Sequence, residues 1–139
     1  MLVQREKYID FDGNEREENF YFNFTEAELA EMELSINGGL KNEIQRIIDS
    51  QDQTEVIKIF KSLLLKAYGV KSPDGKRFIK DEKLTKEFEQ TNAYSQMFMR
   101  LAFDDEEAAK WINAVVPNSI SENIEKKMTP ALVQSPVNN

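Results

Sequence analysis

Four stretches of the chain carry side chains of the types and spacings that chemistry uses. The densest is the carboxylate run Asp104-Asp105-Glu106-Glu107. A metal site or an acid–base pair needs carboxylates that converge, whereas adjacent helical positions point different ways around the axis. Acids in a first helical turn complement the helix dipole and cap free N–H groups, and the run reads as a helix start. Asp10, Asp12 and Asn14 are spaced like the opening of a calcium loop. Such a loop needs glycine at its sixth position and glutamate at its twelfth. Here Gly13 stands at the fourth and Tyr21 at the twelfth, so a turn is the better reading. Gly38-Gly39 lacks the Gly-Lys-Ser/Thr of a phosphate loop and reads as a helix stop. Lys71, Lys76, Arg77, Lys80, Lys83 and Lys86 outnumber Asp74, Asp81 and Glu82 in the last stretch. It is able to meet phosphates or an acidic partner such as another copy, although charge on an exposed loop is the ordinary state.

Two absences narrow the chemistry further. The sequence has no cysteine and no histidine. Disulfides, thiol chemistry, Cys/His zinc sites, Ser-His triads and imidazole acid–base catalysis therefore have no residues to work with. No catalytic, cofactor-binding or metal-ligating residue is expected. Trp111 and the Tyr94/Met97/Phe98 stripe sit at helical spacing and read as core rather than as an exposed recognition face.

The elements that must position these residues follow from apolar periodicity. Residues 2–11 and 18–24 read as two strands joined by Asp12-Gly13-Asn14. Thr25 and Glu28 form a capping box ahead of Leu29, Met32 and Ile36. A second helix spans about 40–49, with Leu40, Ile44, Ile47 and Ile48 on one face. A third, over about 52–68, is apolar on most sides and reads as the central helix. Residues 70–81 read as one long loop containing the turn Pro73-Asp74-Gly75, with Phe78-Ile79 pinning it to the core. Helices follow at about 82–90, from Thr91 or Asn92, and from Asp104 to the stop at Pro117. Residues 121–128 suggest a short polar helix and 129–139 a tail.

The expectation is a mainly α chain: an N-terminal β-hairpin (1–24) on a compact bundle of five to six helices (25–117), in one domain, with a C-terminal tail (118–139). The net charge is −7 over 139 residues, and the whole excess lies in residues 1–33, which hold ten acids and three bases. Such acidity disfavours general nucleic-acid binding and adhesion to anionic lipid. No apolar run is long enough to cross a membrane, and no signal-peptide pattern opens the chain, so a cytoplasmic location is expected. Candidate partner-binding residues are Glu15, Glu17, Glu18 and Glu31 on the acidic side and Lys76, Arg77 and Lys80 on the basic loop.

Three segments carry a family resemblance. They are Phe22–Leu40 (FNFTEAELAEMELSINGGL), Ala67–Lys80 (AYGVKSPDGKRFIK) and Thr91–Met99, with a looser likeness over Phe103–Pro117. In these the chain resembles tail assembly chaperones encoded in the tail modules of long-tailed phages and prophages of Gram-positive bacteria. The resemblance spans about residues 7–117. It implies a mostly helical, non-catalytic protein in the cytoplasm of the infected or lysogenic host. It also implies that the chain binds tape-measure and tail-tube proteins before the tube polymerises, and possible self-association is a further expectation. The alternative it leaves open is a structural component of the virion, in head, connector or tail.

Overall fold

Aromatic residues alternate along one short stretch, Phe20, Phe22 and Phe24, and that alternation sets the architecture. The computed structural model describes residues 1–116. The expected short helix at 121–128 and the tail lie outside the described residues. Strand β1 (Leu2–Ile9) pairs antiparallel with β2 (Glu15–Phe22) in the register Leu2↔Phe22 to Ile9↔Glu15. Gly13, at φ 83°, turns the chain between them, and Asp10 Oδ1 accepts from the N–H groups of Asp12 and Asn14. Period-2 geometry then sends Phe20 and Phe22 to one face of the sheet, where both are buried.

Three helices follow before the sheet resumes: α1 (Glu26–Ser35), α2 (Leu40–Ser50) and α3 (Gln53–Ala67). Thr25 and Glu28 close the capping box at α1. Between α1 and α2, Gly38 and Gly39 hold φ values of 82° and 87°. The Glu33 carboxylate folds back across Gly39 and accepts from Leu40 N–H at 2.8 Å. The chain's own acid thus occupies the N-terminus of α2, where a phosphate loop would hold its anion. Asp52 caps α3 by accepting from Thr54 and Glu55 N–H.

The expectation of a mainly α chain with one hairpin is corrected at this point. Tyr68–Lys71 forms β3 and Phe78–Ile79 forms β4, so the strands make a four-stranded antiparallel sheet, β1-β2-β3-β4, beside six helices among the described residues. β3 pairs with the base of β2 through Tyr21↔Gly69 and Phe22↔Tyr68. The supposed loop at 70–81 is a second hairpin, with Val70↔Ile79 and Lys71↔Phe78 in register. Strands of four and two residues are too short to show alternation, and Tyr68 continues the apolar pattern of α3. Pairing to the free edge of β2 makes β3 a strand, and pairing to β3 makes β4 one.

The last three helices, α4 (Glu82–Glu89), α5 (Asn92–Phe103) and α6 (Asp105–Val115), begin on caps from Asp81, Thr91 and Asp104. They close the core around Phe88, whose ring stacks on Tyr68 at 4.1 Å between centroids and meets Phe20 and Phe22 at 5.5 and 5.9 Å. Trp111 reaches the same cluster through Phe22. Burying one such ring contributes about 1.5–3 kcal/mol, and each well-placed ring pair about 0.5–1.5 kcal/mol more.

Candidate partner-binding site

Three of the acidic candidates are placed by the outer half of the first hairpin and the fourth by α1. Glu15, Glu17 and Glu18 lie exposed on β2 and Glu31 lies exposed on α1. Glu17 pairs with Arg5 on the neighbouring strand at 2.7 Å, with both side chains about half exposed. That guanidinium hydrogen bond lowers the Glu17 pKa. Glu18 accepts from the Tyr8 hydroxyl at 3.0 Å, and burial together with that bond raises the Tyr8 pKa. Glu15 and Glu31 have no ion pair or side-chain hydrogen bond among the described residues. Near the tip, Arg16 holds Asp10 at 2.8 Å and lowers its pKa, with help from the N–H groups of Asn14 and Asp12.

The basic candidates divide into two kinds. Lys76 and Arg77 stand exposed at the turn of the second hairpin. Their backbone N–H groups are fixed by Asp74 Oδ1 and Ser72 Oγ, so the turn is rigid while the charged ends are open to solvent. Lys80 is built into the fold instead. Its ammonium lies 2.7 Å from Glu28 Oε2 and 4.7 Å from the centroid of the Phe24 ring. Burial alone would raise the Glu28 pKa; the Lys80 ammonium and the Thr25 N–H outweigh it and lower the pKa. Lys80 also lines, with Lys66, Lys83 and Lys86 and the acids Asp81, Glu82 and Glu89, an open recess of mixed charge of about 610 Å³ beside Tyr68.

Glu6 is the residue that sequence reasoning misplaced. It counted only as one of ten N-terminal acids, and it is 3% exposed. Its carboxylate pairs with Arg100 and accepts from Gln96 Nε2 at 3.0 Å. Gln96 and Asn92 also donate to the carbonyls of Lys7 and Ile9, which fastens α5 along β1. The available signal was parity: Leu2, Gln4, Glu6 and Tyr8 share the sheet face that carries Phe20 and Phe22.

The carboxylate run at 104–107 is engaged in helix initiation, with Asp104 Oδ1 accepting from Glu106 and Glu107 N–H at 3.1 and 3.2 Å. Among the described residues, no cluster of three or more acids could hold a metal ion, and no helix is long and apolar enough to cross a membrane. The exposed candidates carry both signs of charge, acids on the first hairpin and α1 and bases at the turn of the second. No curated protein and no solved structure matches the chain. A family model described as phage tail assembly chaperone matches residues 1–138, nearly the whole sequence, and the chain belongs to that family.

Proposed function

We propose that this member of the phage tail assembly chaperone family acts without catalysis, in the host cytoplasm, by holding tape-measure and tail-tube proteins until the tube polymerises. Membership implies binding of other tail proteins, and the match over residues 1–138 is the observation that carries the reading. The surface supports it. Glu15, Glu17, Glu18 and Glu31 are exposed, and Lys76 and Arg77 extend from a turn whose backbone is fixed. Charged groups of this kind steer partners and suppress wrong ones.

Co-expression with the tail-tube and tape-measure proteins of the same module, followed by pull-down, tests the reading. Retention of either protein, or its recovery in the soluble fraction only when this chain is present, is the expected result. Failure of both overturns it. Stoichiometric amounts of the chain in purified particles would favour a structural virion component instead.

A further inference from the structure

β1 stands at one end of the sheet, and its free edge is only partly covered. The backbone groups of a strand turn alternately to its two edges. Asp10 N–H donates to the Asn14 carbonyl, so the even-numbered residues of β1 turn their N–H and C=O groups toward β2. The odd-numbered ones face the other way. Among these, the carbonyls of Lys7 and Ile9 accept from Gln96 and Asn92 on α5. The N–H and C=O groups of Val3 and Arg5 have no partner among the described residues, and both residues are exposed. Four main-chain groups thus stand open along about 7 Å of strand, at about 3.4 Å per residue.

A half-open cavity of about 170 Å³ adjoins this stretch on the helical side of the sheet. Leu2 and Gln4 of β1 line it with Met97 of α5 and Trp111 of α6, and its surface is more apolar than polar. An apolar space on the order of 150 Å³ holds a benzene-sized group, so this one suits a single large side chain. Trp111 is 5% exposed, and its buried indole N–H has no acceptor among the described residues. Buried donors are nearly always satisfied, so an orphan in a residue that lines a cavity marks a missing acceptor. The charges nearby are already paired: Arg5 with Glu17, Arg100 with Glu6 and Lys110 with Glu107.

We infer that this edge and cavity receive an extended, uncharged segment of a partner protein, which adds antiparallel to β1 opposite Val3–Arg5 and puts one methionine-sized side chain into the cavity. Strand parity dictates the arrangement. Partner residues opposite Val3 and Arg5 send their side chains to the outer face of the sheet. The residue between them, opposite Gln4, points to the face where Leu2 and Gln4 line the cavity. Methionine meets the remaining conditions, since its stem is apolar and its sulfur accepts weakly and packs well against an aromatic ring. An uncharged segment leaves the three local ion pairs undisturbed. The inference rests on the chaperone reading for the natural partner, but the edge is tested without one.

The test titrates three seven-residue, threonine-rich peptides into the full chain and follows the fluorescence of Trp111, the one tryptophan in the sequence. The first peptide carries methionine at its centre and the second alanine. The third carries methionine with N-methyl groups on the two residues flanking it, which removes the donors that would face Val3 and Arg5. The first is expected to shift the Trp111 emission and to bind at least about tenfold more tightly than either of the others. Val3→Pro removes an N–H that faces away from β2, a change an edge strand tolerates. It should weaken the first peptide at least about tenfold while the melting temperature stays within a few degrees of the parent. Should that variant melt early, the peptide series and hydrogen exchange decide. In the chain without peptide, the amides of Val3 and Arg5 should exchange faster than those of Gln4 and Glu6. Equal protection would mean that residues 117–139 or a second copy already lie on the edge, and it overturns the inference. So does the absence of binding, equal binding of the alanine or N-methylated peptide, or unchanged binding to a folded Val3→Pro. Tail proteins retained equally well by the parent and Val3→Pro also overturn it and leave the chaperone reading intact. Peptide binding by a chain that retains no tail protein supports the edge and counts against the chaperone reading alone.

Discussion

The two hairpins of the sheet divide the work of the molecule differently. The first has strands of eight residues, yet from Glu15 to Asn19 its second strand is exposed at every position. The second has strands of four and two residues, and it is tightly built in. Gly69 is buried against the Phe78 ring, and Ser72, 2% exposed, donates to Asp74 and accepts from Arg77 N–H inside the turn. Tyr68 stacks on Phe88 at the centre of the core. Length therefore does not measure how much a hairpin stabilises the fold. Tyr68 of the short one and the base of the long one pack against the helical core, while the exposed acids on the outer half of the long one make ion pairs worth little each.

The largest effect expected from breaking this division is at Phe22, where the hairpins meet. Phe22→Ala removes a fully buried ring from contact with Tyr68, Phe88 and Trp111. It should cost about 3–5 kcal/mol in denaturant unfolding. Next comes Gly69→Ala. A methyl group there meets the Phe78 ring at 2.5 Å and the Ile79 carbonyl at 2.9 Å, so the seam must open. A loss of about 1–3 kcal/mol is expected, and a neutral outcome would mean that the second hairpin is not packed as described. Ser72→Ala leaves the Arg77 N–H without its acceptor and should cost about 1 kcal/mol in the same measurement.

Glu28 gives a smaller, pH-dependent effect. Its folded pKa is lowered, so its contribution is fully present above the ordinary glutamate value of 4.5 and is lost as the pH falls through the lower folded value. Because its side chain is about a third exposed, solvent screening keeps that contribution under about 1 kcal/mol. Glu28→Gln should therefore lower stability slightly at neutral pH and flatten its decline below pH 4.5. Thermal melts of both proteins across that range check it; parallel curves would show that Lys80 does not hold the carboxylate. The smallest effect belongs to the first hairpin's outer half. Joint replacement of Glu15, Glu17, Glu18 and Glu31 by glutamine should leave the melting temperature within a few degrees of the parent, by calorimetry.

How far this division could be read in advance varies by element. Thr25, Asp52, Asp81, Thr91 and Asp104 each stood where a helix had to begin, because side-chain oxygens at N-caps act locally. The first hairpin was legible for the same reason, through its turn and the alternation of Phe20, Phe22 and Phe24, although β2 begins three residues earlier than expected. β3 was not, since its pairing comes from β2, some 46 residues upstream, and β4 pairs in turn with β3. At the candidate site, the exposure of Lys76 and Arg77 followed from the turn, whereas the anchoring of Lys80 needed Glu28 and Phe24 brought alongside. Glu6 was hidden among like residues until its partners on α5 were in place.

The central proposal is that the exposed acids of the first hairpin's outer half, with Glu31 of α1, are a contact surface on which the fold does not depend. The most direct measurement is the soluble fraction of the tape-measure protein when co-expressed with the fourfold glutamine variant, compared with the parent chain. The account predicts a clear loss of soluble tape-measure protein from a variant that still melts close to the parent. Undiminished recovery would contradict it, as would a variant that fails to fold.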